Sequence, residues 1–395
     1  MPIFNFMENK ATVGVIGAGT MGTGIALVAA TAGHRTLLFD ANLQVMENAR
    51  ISLKKNISYL VDKEKINREK ADEIFSHIVF ASSLTDFKEC GLIIEAIVEE
   101  LEVKQKVFIG LEKIVSEKCI LASNTSSLSI TSIASACSHP DRVIGIHFFN
   151  PAHVMPLVEI VNGVETNSQA ADATKKLIAA WKKTTVVAKD SPGFIVNRIA
   201  RPFYGEAIRI YDEGIADFAT IDWAMKEFGK FRMGPFELMD FIGNDINYMV
   251  TETVWKQFFY DPRYKPSLTQ KRLFEAKQFG RKSNKGYYDY SDGAVMPEPK
   301  TDKKSGERIF FRVLSMMINE AVDALYLGVA SRDDLDLAMT KGVNYPQGLL
   351  KWCDEIGADK ILEMLNMLKE EYAEDRYRPS VLLKTMVKEK RKFYE

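Results

Sequence analysis

A mostly parallel α/β sheet followed by all-helical domains is the fold this sequence predicts, and three observations carry it. Up to about Lys189, short β-branched apolar runs alternate with amphipathic stretches. After Asp190 the strand signals fade and long amphipathic patterns take over. Beyond a stretch rich in Pro, Gly, Asp and Lys, Ser291–Ser305, the sequence repeats what stands before it.

Taken in order, the candidate strands are Val13–Ile16, Thr36–Phe39, Ile78–Phe80, Leu92–Ala96, Ile120–Ala122, Val143–Phe148, Pro156–Ile160 and Thr185–Val187. Helical periodicity fits Met21–Ala32, Leu43–Leu60, Lys104–Val115, Ile130–Ala136 and Ser168–Lys182. The segment Leu43–Phe75 is too long for one crossover, so it reads as a long helix, a turn and a second helix, Asn67–Phe75. Ser191-Pro192-Gly193 marks the end of the sheet, and Phe194–Asp212 begins a helical domain. The expected domains are 1–189 with a helical insertion at 43–75, then 190–290, then 305–395.

The repeat is explicit. A shift of 114 positions places Arg198 on Arg312, Glu206-Ala207 on Glu320-Ala321, Gly214 on Gly328 and Asp222 on Asp336. Ala224-Met225 falls on Ala338-Met339, Gly234 on Gly348, Asp240 on Asp354 and Ile242-Gly243 on Ile356-Gly357, with no gap. Two copies are too few for a solenoid and read as two similar helical units packed together.

Composition narrows the function classes. At 395 residues, 46% hydrophobic and 27% charged, the chain has the make-up of a soluble globular protein of two or three domains. A net charge of −1 gives no global attraction to nucleic acid or an anionic membrane. No apolar run reaches the roughly 18–20 residues that span a bilayer, and MPIFNFMENK does not read as a signal peptide. Four scattered cysteines, Cys90, Cys119, Cys137 and Cys353, suit a reducing interior, so the cytoplasm is expected. His34, His77, His139, His147 and His153 lack paired-ligand spacing, so no metal is expected.

Gly17-Ala18-Gly19-Thr20-Met21-Gly22 follows a strand and opens a helix. The first glycine permits the tight turn, the second lets backbone approach a diphosphate, and the third allows close helix–strand packing. The helix N-terminus offers N–H groups and a favourable dipole to the anion. Asp40 closes the next strand, where an acid accepts both ribose hydroxyls and repels a 2′-phosphate. This predicts a Rossmann-type domain that binds NAD, against the plainer reading of Asp40 as a cap on the following helix.

Oxidising a secondary alcohol needs a base with a pKa near the working pH, which histidine supplies. His147 lies at the end of a strand, on the sheet edge where ligands bind in open α/β folds. Glu159 lies on the next strand among apolar residues, where a lone carboxylate is costly to bury and seeks a partner. Residue pattern alone also admits His147 as a satisfied core residue.

The surrounding words resemble the 3-hydroxyacyl-CoA dehydrogenase family, nearest its bacterial 3-hydroxybutyryl-CoA members. They are Val15–Gly24 with Asp40, Glu95-Ala96-Ile97-Val98-Glu99, Ser123-Asn124-Thr125-Ser126-Ser127 and His147–Pro151. They continue with Asp190–Arg198, Met233-Gly234-Pro235-Phe236-Glu237 and Lys285-Gly286-Tyr287-Tyr288. The resemblance implies an NAD-binding domain followed by two helical C-terminal domains of that family. The activity it implies is reversible oxidation of an (S)-3-hydroxyacyl-CoA to the 3-ketoacyl-CoA.

By resemblance, His147 is the acid/base, supported by Glu159. Ser126 contacts the substrate oxygen and the nicotinamide side, unless it merely caps the Ile130 helix, and Asn197 contacts the substrate unless it serves the helix start. Glu99, Lys104, Asn150 and Lys282 match positions that touch NAD; unaided, the charged ones read as solvated and Asn150 as a turn residue. The insertion resembles the helical pair that receives the CoA nucleotide. Lys63 matches a CoA contact, and Asn56 replaces a serine there. Lys54, Lys55 and Lys65 are further candidate cations, or a solvated face.

Asn197 shifts onto Phe311, so the second copy keeps the packing skeleton without that contact. It is expected to cover the first copy as a second subunit does in shorter relatives, leaving either a homodimer or a monomer with a built-in pseudo-partner. Two rival functions remain. One is a dehydrogenase of a sugar acid such as L-gulonate on the same scaffold; the other is a non-catalytic NAD-binding protein.

Overall fold

The computed structural model describes residues 11–394, and the signal-peptide reading of the first ten residues lies outside them. The chain divides into two compact units after Ser191.

The first unit is built on eight strands: β1 (Thr12–Ile16), β2 (Thr36–Phe39), β3 (Ile78–Phe80), β4 (Cys90–Glu95), β5 (Ile120–Ser123), β6 (Val143–Phe148), β7 (Leu157–Asn162) and β8 (Thr184–Lys189). They form one sheet in the order β3-β2-β1-β4-β5-β6-β7-β8. Neighbours are parallel except β6 and β7, which are antiparallel. The parallel strands read as continuous apolar runs because both faces are buried.

Six helices accompany the sheet: α1 (Thr20–Thr31), α2 (Leu43–Asp62), α3 (Arg68–Ser76), α4 (Leu101–Glu112), α5 (Ile130–Ala134) and α6 (Ser168–Ala180). In α1 every residue from Gly22 to Ala30 is buried, whereas α2 buries only Ala49, Leu53 and Ile57, one stripe at four-residue spacing. The turn expected within Leu43–Phe75 is present, with Asn42 capping α2 and Asn67 capping α3 through their side chains. The helix expected from Lys104 begins at Leu101 instead, because the acidic run before it hides the start of the apolar face.

The second unit is helical. Its first copy comprises α7 (Val196–Ile199), α8 (Arg201–Asp212), α9 (Phe218–Gly229), α10 (Pro235–Ile242), α11 (Asn244–Gln257) and α12 (Leu268–Glu275). The second comprises α13 (Lys303–Tyr326), α14 (Arg332–Gly342), α15 (Leu349–Ile356), α16 (Ala358–Tyr372) and α17 (Val381–Glu389). The run beginning at Phe194 is two helices and not one. Pro202 stands in the first turn of α8, where a missing N–H costs nothing. The corresponding position in the second copy is Met316, and α13 runs through unbroken.

The shared residues explain themselves. Asp222 accepts the backbone N–H groups of Phe236 and Glu237 at 2.9 Å each, capping α10; Asp336 does the same for α15 with Leu350 and Lys351 at 2.9 and 3.0 Å. The arginine and glutamate of each copy cross over. Arg198 donates from Nε to Glu320 at 2.6 Å, and Arg312 from Nε to Glu206 at 2.7 Å. Tyr264 and Tyr377 add a hydroxyl to the same two carboxylates, at 2.6 and 2.8 Å. Such reciprocal pairing is the signature of a two-fold interface between like partners; here it lies within one chain.

Candidate active site

The loop after β1 is shaped to leave room above a helix end. Gly17 adopts φ +98°, and a Cβ there would lie 2.5 Å from the carbonyl oxygen of Ala96. A Cβ on Gly22 would lie 1.8 Å from the carbonyl oxygen of Gly17, so α1 can start here only without a side chain. At Gly19 a Cβ would meet nothing within 4 Å, and no side chain caps the helix. Gly19 and Thr20 are exposed, Ala18 is buried and Met21 is half-buried. Open space before uncapped N–H groups is what a cofactor diphosphate requires, so these residues fit NAD.

Asp40 follows β2 and ties the loop down. Its carboxylate accepts the N–H of Ala18 and the N–H of Asn42, each at 2.9 Å. Asn42 itself caps α2, which corrects the reading of Asp40 as a helix cap. The charge of Asp40 is thereby fixed beside the cofactor loop.

His147 and Glu159 are brought together by strand register. They face each other across the antiparallel β6–β7 pair, where opposed side chains are near neighbours. Nδ1 of His147 lies 2.6 Å from Oε2 of Glu159. The histidine is 5% exposed and the glutamate not at all, so the contact is shielded from water. A carboxylate at Nδ1 fixes the proton there and makes Nε2 the basic nitrogen.

The Ser126 loop hangs on Glu99. Oε1 of Glu99 accepts the N–H groups of Ser126 and Ser127 at 3.0 and 3.2 Å and the hydroxyls of Thr125, Ser126 and Ser127 at 2.6, 3.4 and 3.1 Å. Burial pushes the Glu99 carboxyl up, but Lys104 and these donors outweigh it and hold it below its ordinary value. Ser129, and not Ser126, caps α5, so the capping alternative for Ser126 falls.

Lys104 is 1% exposed, not a solvated residue. Its ammonium lies 2.6 Å from Glu95 and 3.3 Å from Glu99. Glu95, fully buried, also accepts the Ser123 hydroxyl and the N–H of Ile97, each at 2.7 Å. Glu95, Ser123 and Thr125 escaped the sequence reading as individual residues, although all three stand inside quoted words. Spacing gave no sign that a helix lysine would point inward. Asn124 is a further omission: it accepts the N–H of Phe148, next to His147, at 2.8 Å.

Asn150 is exposed two residues after β6. Asn56 lines a crevice of about 280 Å³ with Asn48, Ser52, Gly19, Thr20 and His153. Lys63 is the exposed C-cap of α2, its ammonium 5.8 Å from the Tyr59 ring centre. Lys54 is placed over the Phe75 ring at 5.6 Å. In the second unit, Asn197 is half-buried on α7, and Lys282 pairs with Asp245 at 2.6 Å. Among the described residues no group of three His, Cys, Asp or Glu side chains could hold a metal ion, and no helix is long and apolar enough to cross a membrane.

Comparison with known proteins agrees with this geometry. Residues 12–191 match the family described as 3-hydroxyacyl-CoA dehydrogenase, NAD binding domain. Residues 193–290 and again 309–393 match its C-terminal domain. A 3-hydroxyadipyl-CoA dehydrogenase of Escherichia coli K12 is 35% identical, the match covering 96% of this chain and 98% of that protein. A 3-hydroxybutyryl-CoA dehydrogenase of Bradyrhizobium diazoefficiens is 40% identical over 72% of this chain and 97% of its own. The crystal structure of a 3-hydroxybutyryl-CoA dehydrogenase from Escherichia coli K12 superposes with a TM-score of 0.90 at 34% identity, covering 95% of this chain and 98% of that one.

Proposed function

The chain belongs to the 3-hydroxyacyl-CoA dehydrogenase family, and on that premise we propose how its own residues run the reaction and on what substrate. It is an NAD-dependent oxidoreductase that interconverts a 3-hydroxyacyl-CoA and a 3-ketoacyl-CoA. The substrate is short, such as (S)-3-hydroxybutyryl-CoA, in line with the names of two of the relatives.

The supporting observation is the His147–Glu159 contact of 2.6 Å, on the sheet edge that also bears the glycine loop. Bound NAD supplies the hydride acceptor. His147 takes the C3 hydroxyl proton on Nε2 while the hydride leaves C3, and the resulting imidazolium is stabilised by Glu159 at Nδ1. In reverse, Nε2 returns the proton to the forming alkoxide. No covalent bond to the protein is needed. Glu99 holds the Ser126 hydroxyl and backbone in one arrangement, with Lys104 and Glu95 bracing it from below. Asn197 and Lys282 take the substrate and cofactor roles that the family words give them, and Asn56 and Lys63 the CoA roles.

Oxidation of NADH by acetoacetyl-CoA, set beside reduction of NAD by L-gulonate, tests the reading. Turnover of the sugar acid without the thioester would replace it. We place the enzyme in the cytoplasm, with four free cysteines as support. The second helical copy stands in for a partner subunit, as the crossed Arg198–Glu320 and Arg312–Glu206 pairs suggest. A tight dimer burying Arg312–Glu395, seen by light scattering, would sink that role.

A further inference from the structure

Six arginines are buried among the described residues: Arg142, Arg198, Arg201, Arg263, Arg312 and Arg376. Five of them pair with a glutamate. Arg201 pairs with no carboxylate among the described residues. Burial pushes its guanidinium below the ordinary value, and the groups that act against this are only the hydroxyls of Tyr204 and Tyr345. A buried charge without an opposite charge is costly. The residue also opens α8, the end of a helix whose dipole disfavours a cation.

Packing of the repeated skeleton does not call for this arginine. The shift of 114 places Ser315 at the same point of the second copy, inside the unbroken α13, just as it places Phe311 at the point of Asn197. In the first copy the two polar residues are joined. Nε of Arg201 donates to the carbonyl oxygen of Asn197 at 2.8 Å, one helical turn back. Nη1 donates to the Thr251 hydroxyl on α11 at 3.0 Å, and that hydroxyl donates in turn to the carbonyl oxygen of Asn247 at 2.8 Å. The Tyr204 ring centre lies 5.0 Å from the guanidinium carbon. These neutral contacts hold the guanidinium in place beside Asn197. Nη2 takes part in neither hydrogen bond. It is not sealed in, either: among the described arginines, the enclosed nitrogens that lack an acceptor are Nε of Arg142, Arg263 and Arg376.

We propose that Arg201 reads the far end of the acyl chain: its guanidinium receives a carboxylate there, so the substrate is a short 3-hydroxyacyl-CoA that ends in a second carboxyl group. The inference rests on the acyl-CoA reading above, in which Asn197 contacts the substrate, and deepens it by specifying the end of the acyl chain. A chain whose reacting carbon lies at Asn197 meets Arg201 a few carbons further on. Guanidinium suits a carboxylate by charge and by direction, and Nη2 brings the donors that the protein leaves over. A methyl end at the same place leaves the buried cation uncompensated, so the discrimination rests on charge and not on chain length.

The test compares 3-oxoadipyl-CoA with 3-oxohexanoyl-CoA on the full-length chain, with NADH as reductant. The two thioesters have the same chain length and differ only in ending in a carboxylate or a methyl group; acetoacetyl-CoA is run beside them. For wild type, kcat/KM with 3-oxoadipyl-CoA is expected to exceed that with 3-oxohexanoyl-CoA by about tenfold to a hundredfold, the weight of one charge-assisted contact. Arg201→Met is expected to bring that ratio to about one, and Arg201→Lys, which keeps the charge, to hold it above that. A wild-type ratio near one overturns the site whether or not the variants fold, and so does a folded Arg201→Met that keeps the wild-type ratio. Either result, with acetoacetyl-CoA still reduced, leaves the dehydrogenase reading intact. Wild-type protein that turns over none of the three thioesters overturns both.

Discussion

Each unit of this chain buries a carboxylate against a side-chain nitrogen at 2.6 Å, Glu159 against His147 in one and Glu320 against Arg198 in the other. The distances are alike and the outcomes are not. Imidazole gains and loses a proton near neutrality, so a carboxylate at its Nδ1 organises a base. Guanidinium never gives up its proton, so the same carboxylate becomes a fixed tie between two copies of a fold. Surroundings reinforce the contrast: Glu159 meets its partner across a strand pair at the ligand edge, whereas Glu320 gathers Arg198, Arg263 and Tyr264 inside a helical core. Burial alone therefore says little about role; the chemistry of the nitrogen partner decides it.

Replacing His147 is the sharpest way to test the contrast. His147→Gln is expected to lower kcat by about 10²–10⁴-fold, the usual weight of a positioned acid/base, with a nearly unchanged melting temperature. Activity within tenfold of wild type would return His147 to the core-residue reading.

Glu320→Gln should show the opposite pattern. It leaves Arg198 and Arg263 buried with only the more exposed Asp323 as a shared anion, a loss of up to about 3–5 kcal/mol, or roughly 2–4 °C of melting temperature per kcal/mol in a unit of this size. Turnover per folded molecule is expected to hold. Burial would raise Glu320, but the two arginines overcome it and hold the carboxyl below its ordinary 4.5. A carboxyl that is lower in the folded chain stabilises it above that pH, and the contribution is lost as pH falls through the folded value. The variant should therefore show a flatter fall of stability below pH 4.5 than wild type. An equally steep fall would assign the acid sensitivity elsewhere.

Glu159→Gln sits between these two. The amide fills the same space without the charge that stabilises imidazolium, so kcat is expected to drop about tenfold to a hundredfold, within the span of general acid–base effects. A loss as large as that of His147→Gln, with an intact fold, would mean that Glu159 acts on the substrate directly.

How much of this could be read beforehand follows the same division. The glycine loop, Asp40, and the pairing of His147 with Glu159 lie in short words or on adjacent strands, where sequence order and spatial order agree. The 114-residue shift found Arg198, Arg312, Glu206 and Glu320 as matched residues but not as partners. The pairs cross between copies, so Arg198 meets the residue 122 positions on, a distance fixed by packing of helices and by no local rule. Lys104 reads as solvated surface because lysine usually is. Its inward turn depends on a buried Glu95 far from it in any periodic pattern. Tertiary polar partners of this kind leave no period in the chain.

Asp40 is the smallest test and the most specific. Its two oxygens already accept the N–H groups of Ala18 and Asn42, so Asp40→Asn keeps one acceptor and the shape while removing the charge. Removing one repulsive contact to a 2′-phosphate is expected to raise the ratio of NADPH to NADH turnover about tenfold, the equivalent of roughly 1.4 kcal/mol. Stability should change little, since the site is only partly buried. The ratio separates the two jobs of this residue: a tether that merely shapes the glycine loop would weaken both cofactors alike and leave it unchanged. Only a charge facing the ribose would move it, and that would set Asp40 beside His147 as a residue whose ionic state serves the reaction.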